Sequence, residues 1–149
     1  MVTEYRQRSI DQQDPITIEV DYLSKSEIEE LIRELVWNYR QLFLPGIEEN
    51  TVFSAEYPRL QRESDHAWSA LQAAFGHQPQ FREEFLSDVS DGALDRVTGQ
   101  LISWSGDIEW PEGGSAGKWT STAQTTDECY EKTRTFMRNR LWPFTKIIR

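Results

Sequence analysis

One cysteine, two histidines and no apolar run of membrane-spanning length are the first marks of this sequence of 149 residues. A single Cys129 excludes an internal disulfide, and its place in a helical pattern suits a small packed side chain better than a nucleophile. An intracellular setting, cytoplasm or nucleus, fits such sparing use of cysteine. A helix needs about 20 consecutive apolar residues to cross a bilayer, so no membrane span is expected, and the polar opening MVTEYRQRS lacks the pattern of a secretory signal. His66 and His77 have no second ligand at a recognisable metal spacing apart from Asp65 beside His66, which argues against zinc. A catalytic triad requires a nucleophile oriented by a base and a third group, and Cys129 with these two histidines forms no local signature of one.

Positive charge is also scarce: 16 Lys and Arg stand against 25 Asp and Glu, a net charge of -9. Phosphate backbones are gripped by an excess of Lys and Arg, so nucleic acid is not an expected partner. The deficit is uneven. Residues 1–117 carry 9 basic and 22 acidic side chains, net -13, whereas residues 118–149 carry 7 and 3, net +4. A basic last helix docked on an acidic body is the simpler reading, and a phosphate- or partner-binding face is the other. What the chain does have is bulk, with 38% hydrophobic and 12% aromatic residues including six Trp, enough to fill the core of one domain spanning residues 1–149.

Hydrophobic periodicity predicts an α+β fold, predominantly helical, with about five helices and a small sheet formed by N- and C-terminal strands. Ile16, Ile18, Val20 and Tyr22 alternate with Thr17, Glu19 and Asp21 as in a strand with one buried face, and Val2-Thr3-Glu4-Tyr5 is its expected partner strand. Ser24-Lys25-Ser26-Glu27 has the form of a capping box and opens a helix whose stripe runs from Ile28 through Leu31, Ile32, Leu35, Val36, Tyr39 and Leu42 to Phe43, until Pro45-Gly46 halts it. A second helix carries Leu60, Ala67, Trp68, Leu71, Ala74 and Phe75, with Pro58 in its first turn and Gly76 at its end. A short third one is expected over Pro79 to Leu86. A fourth, capped by Asp91, holds Leu94, Val97, Leu101, Ile102 and Ile108 and stops at Pro111. Glu112 to Lys118, with three glycines, reads as an exposed loop. Thr125-Thr126-Asp127-Glu128 is a second capping box, before a helix with Cys129, Phe136, Met137 and Leu141 that Pro143 ends. Phe144 to Arg149 opens a strand.

Gly113-Gly114-Ser115-Ala116-Gly117-Lys118 resembles a phosphate loop only superficially. A Walker loop needs glycine where Glu112 stands and Ser or Thr where Trp119 stands, and it must join a strand to a helix. The paired acids Glu29-Glu30, Glu48-Glu49 and Glu83-Glu84 point in different directions on a helix and read as solvated faces. No catalytic, cofactor-binding or metal residue is assigned, and no cofactor is expected.

Several phrases together resemble a family: Val2-Thr3-Glu4-Tyr5-Arg6, ITIEVDYL, Leu71 to Phe75 with Gly76-His77, Gly117-Lys118-Trp119-Thr120-Ser121-Thr122, and the ending Leu141-Trp142-Pro143-Phe144-Thr145-Lys146-Ile147-Ile148-Arg149. They are similar to a stretch of the large fungal dynamin-like GTPases described as nuclear GTPase SLIP-GC-like, over nearly the whole chain. The resemblance implies that VTEY lies shortly after the switch I threonine region and that LWPFTKIIR leads towards the strand ending in the Asp-x-x-Gly magnesium motif. The phosphate loop would then precede Met1 and the Asp-x-x-Gly would follow Arg149. The base-reading Asn/Thr-Lys-x-Asp is missing as well, so no family catalytic residue transfers. What is left is a helical insertion between two pieces of a GTPase sheet.

Two functions compete on this reading. The favoured one is a non-catalytic structural or protein-interaction module that binds a protein partner or itself and does not bind GTP in isolation. The alternative is a small hydrolase with a carboxylate and histidine site assembled only in three dimensions. Strands that end a sheet leave unpaired amides and carbonyls able to recruit another strand. The segment after Pro143 is therefore expected to pair with Ile16 to Tyr22 and leave an open edge.

Overall fold

The computed structural model describes residues 2–6, 10–44, 56–108, 117–137 and 141–148. In chain order these form strand β1 (Val2–Thr3), strand β2 (Ile16–Tyr22), helix α1 (Lys25–Arg40), a 3-10 turn (Gln41–Phe43), helix α2 (Tyr57–Phe75), helix α3 (Glu83–Leu86), helix α4 (Ala93–Ser105), strand β3 (Lys118–Ala123), helix α5 (Thr126–Met137), a second 3-10 turn (Trp142–Phe144) and strand β4 (Thr145–Ile148). The fold is α+β and predominantly helical. Contacts divide it into two compact units, residues 1–26 with 109–149 and residues 27–108.

In the first unit the strands lie in the order β1-β4-β2-β3. The alternation read in the sequence is realised on β2, where Ile18, Val20 and Tyr22 are buried while Thr17, Glu19 and Asp21 are half-buried. The terminal strand β4 pairs antiparallel with β2, Val20 opposite Ile148, as expected. The pairing expected of Val2 to Tyr5 is different: β1 runs parallel to β4, Val2 opposite Ile147, and does not pair with β2. The reason is that β2 already uses both of its sides, one for β4 and one for β3. Val20, Phe144 and Ala123 are almost fully enclosed, as are Ile148 and Leu141, and each aliphatic chain so buried contributes about 1.5–3 kcal/mol relative to exposure. Burial pushes the Tyr22 phenol up to about 12, so it stays neutral.

The second unit holds helix α1 from Glu27 onward and helices α2 to α4. On α1 the stripe survives as Ile28, Ile32, Leu35, Val36 and Tyr39, all buried. The α-helix ends at Arg40 and tightens into the 3-10 turn, earlier than the stripe suggested, while Pro45 and Gly46 lie outside the described residues. Helix α2 presents Ala67, Ala70, Leu71, Ala74 and Phe75 to the interior, and its buried Ser64 donates to the Tyr39 carbonyl of α1 at 3.1 Å. Trp68 of α2 lies 5.7 Å from the Tyr39 ring and 5.3 Å from Phe81, and Trp104 of α4 lies 6.2 Å from Phe75 and 5.9 Å from Phe85. Such offset aromatic contacts add to plain area burial.

Further boundaries differ from expectation: Leu141, expected in the last helix, is the N-cap of the second 3-10 turn, and Phe144, expected in the terminal strand, is the last residue of that turn. The third helix keeps only Glu83–Leu86, because the residues before it close turns through Gln78 N–H to Phe75 O and Phe81 N–H to Gln78 O. Asp91 does not cap α4: Gly92 does, at φ 73, a left-handed conformation open to glycine, and the loop before it is held by Asp88 instead. Asp88 accepts the Ser90 amide at 2.9 Å and Arg96 at 2.8 Å, and these bonds hold its carboxyl below the ordinary range, the Ser90 contacts most of all. Helix α4 ends at Ser105 with Gly106 as its C-cap, so Ile108 falls outside it, and Pro111 lies beyond the described residues.

On α1 the expected contrast is sharp. Leu35→Ala removes a side chain that is 4% exposed and should cost about 2–5 kcal/mol, whereas Glu34→Ala on the exposed face should be near neutral. Denaturant melts of the two variants check it, and similar small losses at both positions would mean that the buried face is misread.

Candidate functional site: the outer edge of strand β3

Strand β3 begins where a loop was expected. Residues 112–116 of that loop lie outside the described residues, but Lys118 is already in the ladder with Asp21. Gly117 turns the chain into the strand at φ 89, while an added Cβ would meet nothing closer than the Tyr22 carbonyl at 4.0 Å. Conformation and not space therefore favours glycine here. Tyr22 N–H donates to Gly117 O at 2.8 Å, which fixes the phase of the whole ladder. In an antiparallel pair, hydrogen-bonded and non-hydrogen-bonded partners alternate. Val20 with Trp119 and Ile18 with Ser121 are then bonded pairs, and Lys118, Thr120 and Thr122 turn their backbone groups away from β2.

Thr122 bears this out independently, since its carbonyl accepts a short bond from Lys132 Nζ of α5. Lys132 also pairs with Glu128 at 3.0 Å. Helix α5 is fixed to the end of β3 by its start: the Thr125 hydroxyl accepts the Glu128 amide at 3.1 Å, and Glu128 accepts the Gln124 amide at 2.9 Å. The box read in the sequence is thus present, with its return bond one residue earlier than expected. The Gln124 bond first, then Lys132, holds the Glu128 carboxyl below the ordinary range. At the other end of β3 the Lys118 ammonium is 3.9 Å from Asp21.

No other strand pairs with the outer side of β3 among the described residues. The open edge anticipated for the sheet is found on the outer side of β3, while β4 is flanked by β1 and β2. Sequence reasoning missed β3: KWTSTA has one large apolar residue and its alternation is faint, so only the turn glycine and β-branched threonines marked it.

The chemical candidates are scattered. His66 and His77 are exposed in and just after α2, Cys129 is half-buried on α5, and Glu83 and Glu84 are exposed on α3. Glu48-Glu49 lie outside the described residues. Among the described residues no group of three His, Cys, Asp or Glu is placed to hold a metal, and no helix is long and apolar enough to cross a membrane. Gly117-Lys118, the C-terminal end of the glycine-rich run, leads into a strand and not a helix, which is the opposite of a phosphate loop. Comparison with family models, with curated proteins and with solved structures finds no match to this chain.

Proposed function

We propose that this chain is a non-catalytic, intracellular protein-interaction module whose working surface is the outer edge of β3, where an extended segment of a partner polypeptide adds as a further strand. The observation that carries the reading is the ladder phase: Lys118 and Thr120 offer outward N–H and C=O groups on a strand with no neighbour on that side among the described residues. Main-chain bonds supply affinity in this mode and flanking side chains supply register. Lys132, by occupying the Thr122 carbonyl, limits the usable edge to its first part. A net charge of -9 opposes association of two copies. The resemblance to dynamin-like GTPases points to the rest of such a GTPase domain as the source of the strand, and GTP itself is not expected to bind the isolated chain.

Light scattering over a concentration series, with and without a flanking GTPase-like fragment, tests this directly. The chain alone should be monomeric and should form a complex with the fragment. Thr120→Pro should abolish the complex without unfolding the chain, because its lost N–H faces outward. Ser121→Pro, in a bonded pair with Ile18, should instead lower stability. A chain that ignores the fragment, or a Thr120→Pro variant that binds it undiminished, would sink the proposal. Saturable binding of GTP with magnesium in a calorimeter would overturn the non-catalytic part.

A further inference from the structure

A second surface of the sheet unit is concave. Between the N-terminal strand and the start of β2 on one side and α5 on the other lies a cleft of about 360 Å³, within the size range of sites for small ligands. Its floor is aliphatic: Ile16, Ile18 and Ile148 contribute, the last two only 4% exposed. The polar groups that α5 adds, Thr126, Cys129 and Thr133, are all neutral. Two side chains of opposite charge also reach the cleft, Arg6 and Glu4, and they bind each other at 3.1 Å. Tyr5 and Tyr130, 94% and 65% exposed, line it with amphipathic rings that combine a large apolar face with a hydroxyl.

We infer that this cleft is a binding site for an uncharged small molecule with an apolar body and a few hydrogen-bonding groups. Its lining separates that class from others. The only charged residues that line it, Arg6 and Glu4, are of opposite sign and paired with each other, so the lining offers an ion no net counter-charge. An apolar body, by contrast, covers three isoleucines, while the hydroxyls and the thiol take up its polar atoms without leaving any charge buried. The site is separate from the β3 edge, so its fate is independent of the proposal above.

The neutral dye Nile red serves as the probe, titrated into the intact chain. Saturable binding of one dye per chain with a blue-shifted emission is expected, and the anionic dye 8-anilinonaphthalene-1-sulfonate should bind about tenfold more weakly or worse. Cys129 is the only cysteine, so its alkylation by N-ethylmaleimide reports on the cleft alone. Saturating Nile red should slow that reaction about fivefold or more by occlusion. Cys129→Phe fills the cleft and should abolish binding, while Cys129→Ser, which keeps the shape, should bind as the parent does. Absence of saturable binding, equal binding of the anionic dye, or an alkylation rate unchanged by Nile red would each overturn the assignment. The alkylation arm uses the parent chain and decides the matter even where Cys129→Phe fails to fold.

Discussion

Replacing Phe75 by alanine is expected to destabilise the chain by about 3–5 kcal/mol. The ring is 1% exposed at the last residue of α2 and packs 6.2 Å from Trp104 of α4. Its removal loses the transfer energy of a large side chain and leaves a void beside a second aromatic ring that is itself held by Phe85. Leucine at the same position should recover part of the loss, because most of the volume returns while the ring contact does not. Denaturant unfolding of the parent and the two variants measures the differences. A loss below about 1 kcal/mol for Phe75→Ala would mean that the surrounding helices collapse into the void more fully than rigid packing allows.

Arg40→Met should cost about 2–4 kcal/mol, although it exchanges a charged residue for an apolar one of similar length. Arg40 is 6% exposed, and its guanidinium donates to Leu86 O at 3.1 Å and to Asp88 O by a short bond. It thereby satisfies carbonyls at the end of α3 and in the loop that follows, groups that a four-residue helix leaves without internal partners. Methionine restores packing but donates nothing, so buried acceptors are stranded. Lysine keeps the charge yet lacks the planar fork, and should rescue only part of the loss. Stability of the three forms, read by denaturant melts, separates the cases. If Arg40→Met matched the parent within about 0.5 kcal/mol, water would have to reach those carbonyls and the bonds would carry little.

These two residues show how differently the sequence speaks. Phe75 was legible, because Ala67, Leu71, Ala74 and Phe75 recur at helical steps before Gly76, and that spacing has one physical meaning. Arg40 was not. A basic residue in the last turn of a helix reads as a solvated partner of the helix dipole, and nothing local says that a loop nearly fifty positions later wraps over it. The same holds for Asp91, a sound cap by residue type that lost its place to Gly92 because the loop needed a left-handed residue there.

By itself the sequence determined the elements whose periodicity and punctuation are strong: the alternating strand Ile16–Tyr22, the striped helix after Ser24, the long helix from Tyr57 to Phe75, and the helix after Thr125. It also determined that the strand after Pro143 meets Ile16–Tyr22, since a short β-branched segment needs a partner with a complementary buried face. Tertiary structure alone decided the order of the sheet, with β1 parallel on β4 and the faint strand Lys118–Ala123 on the outside. A strand's register and neighbours depend on which edges remain unoccupied after its partners have paired, a competition among distant segments that no local pattern records. That competition left β3 on the rim and turned the backbone groups of Lys118 and Thr120 outward, which is the feature on which the proposed function rests.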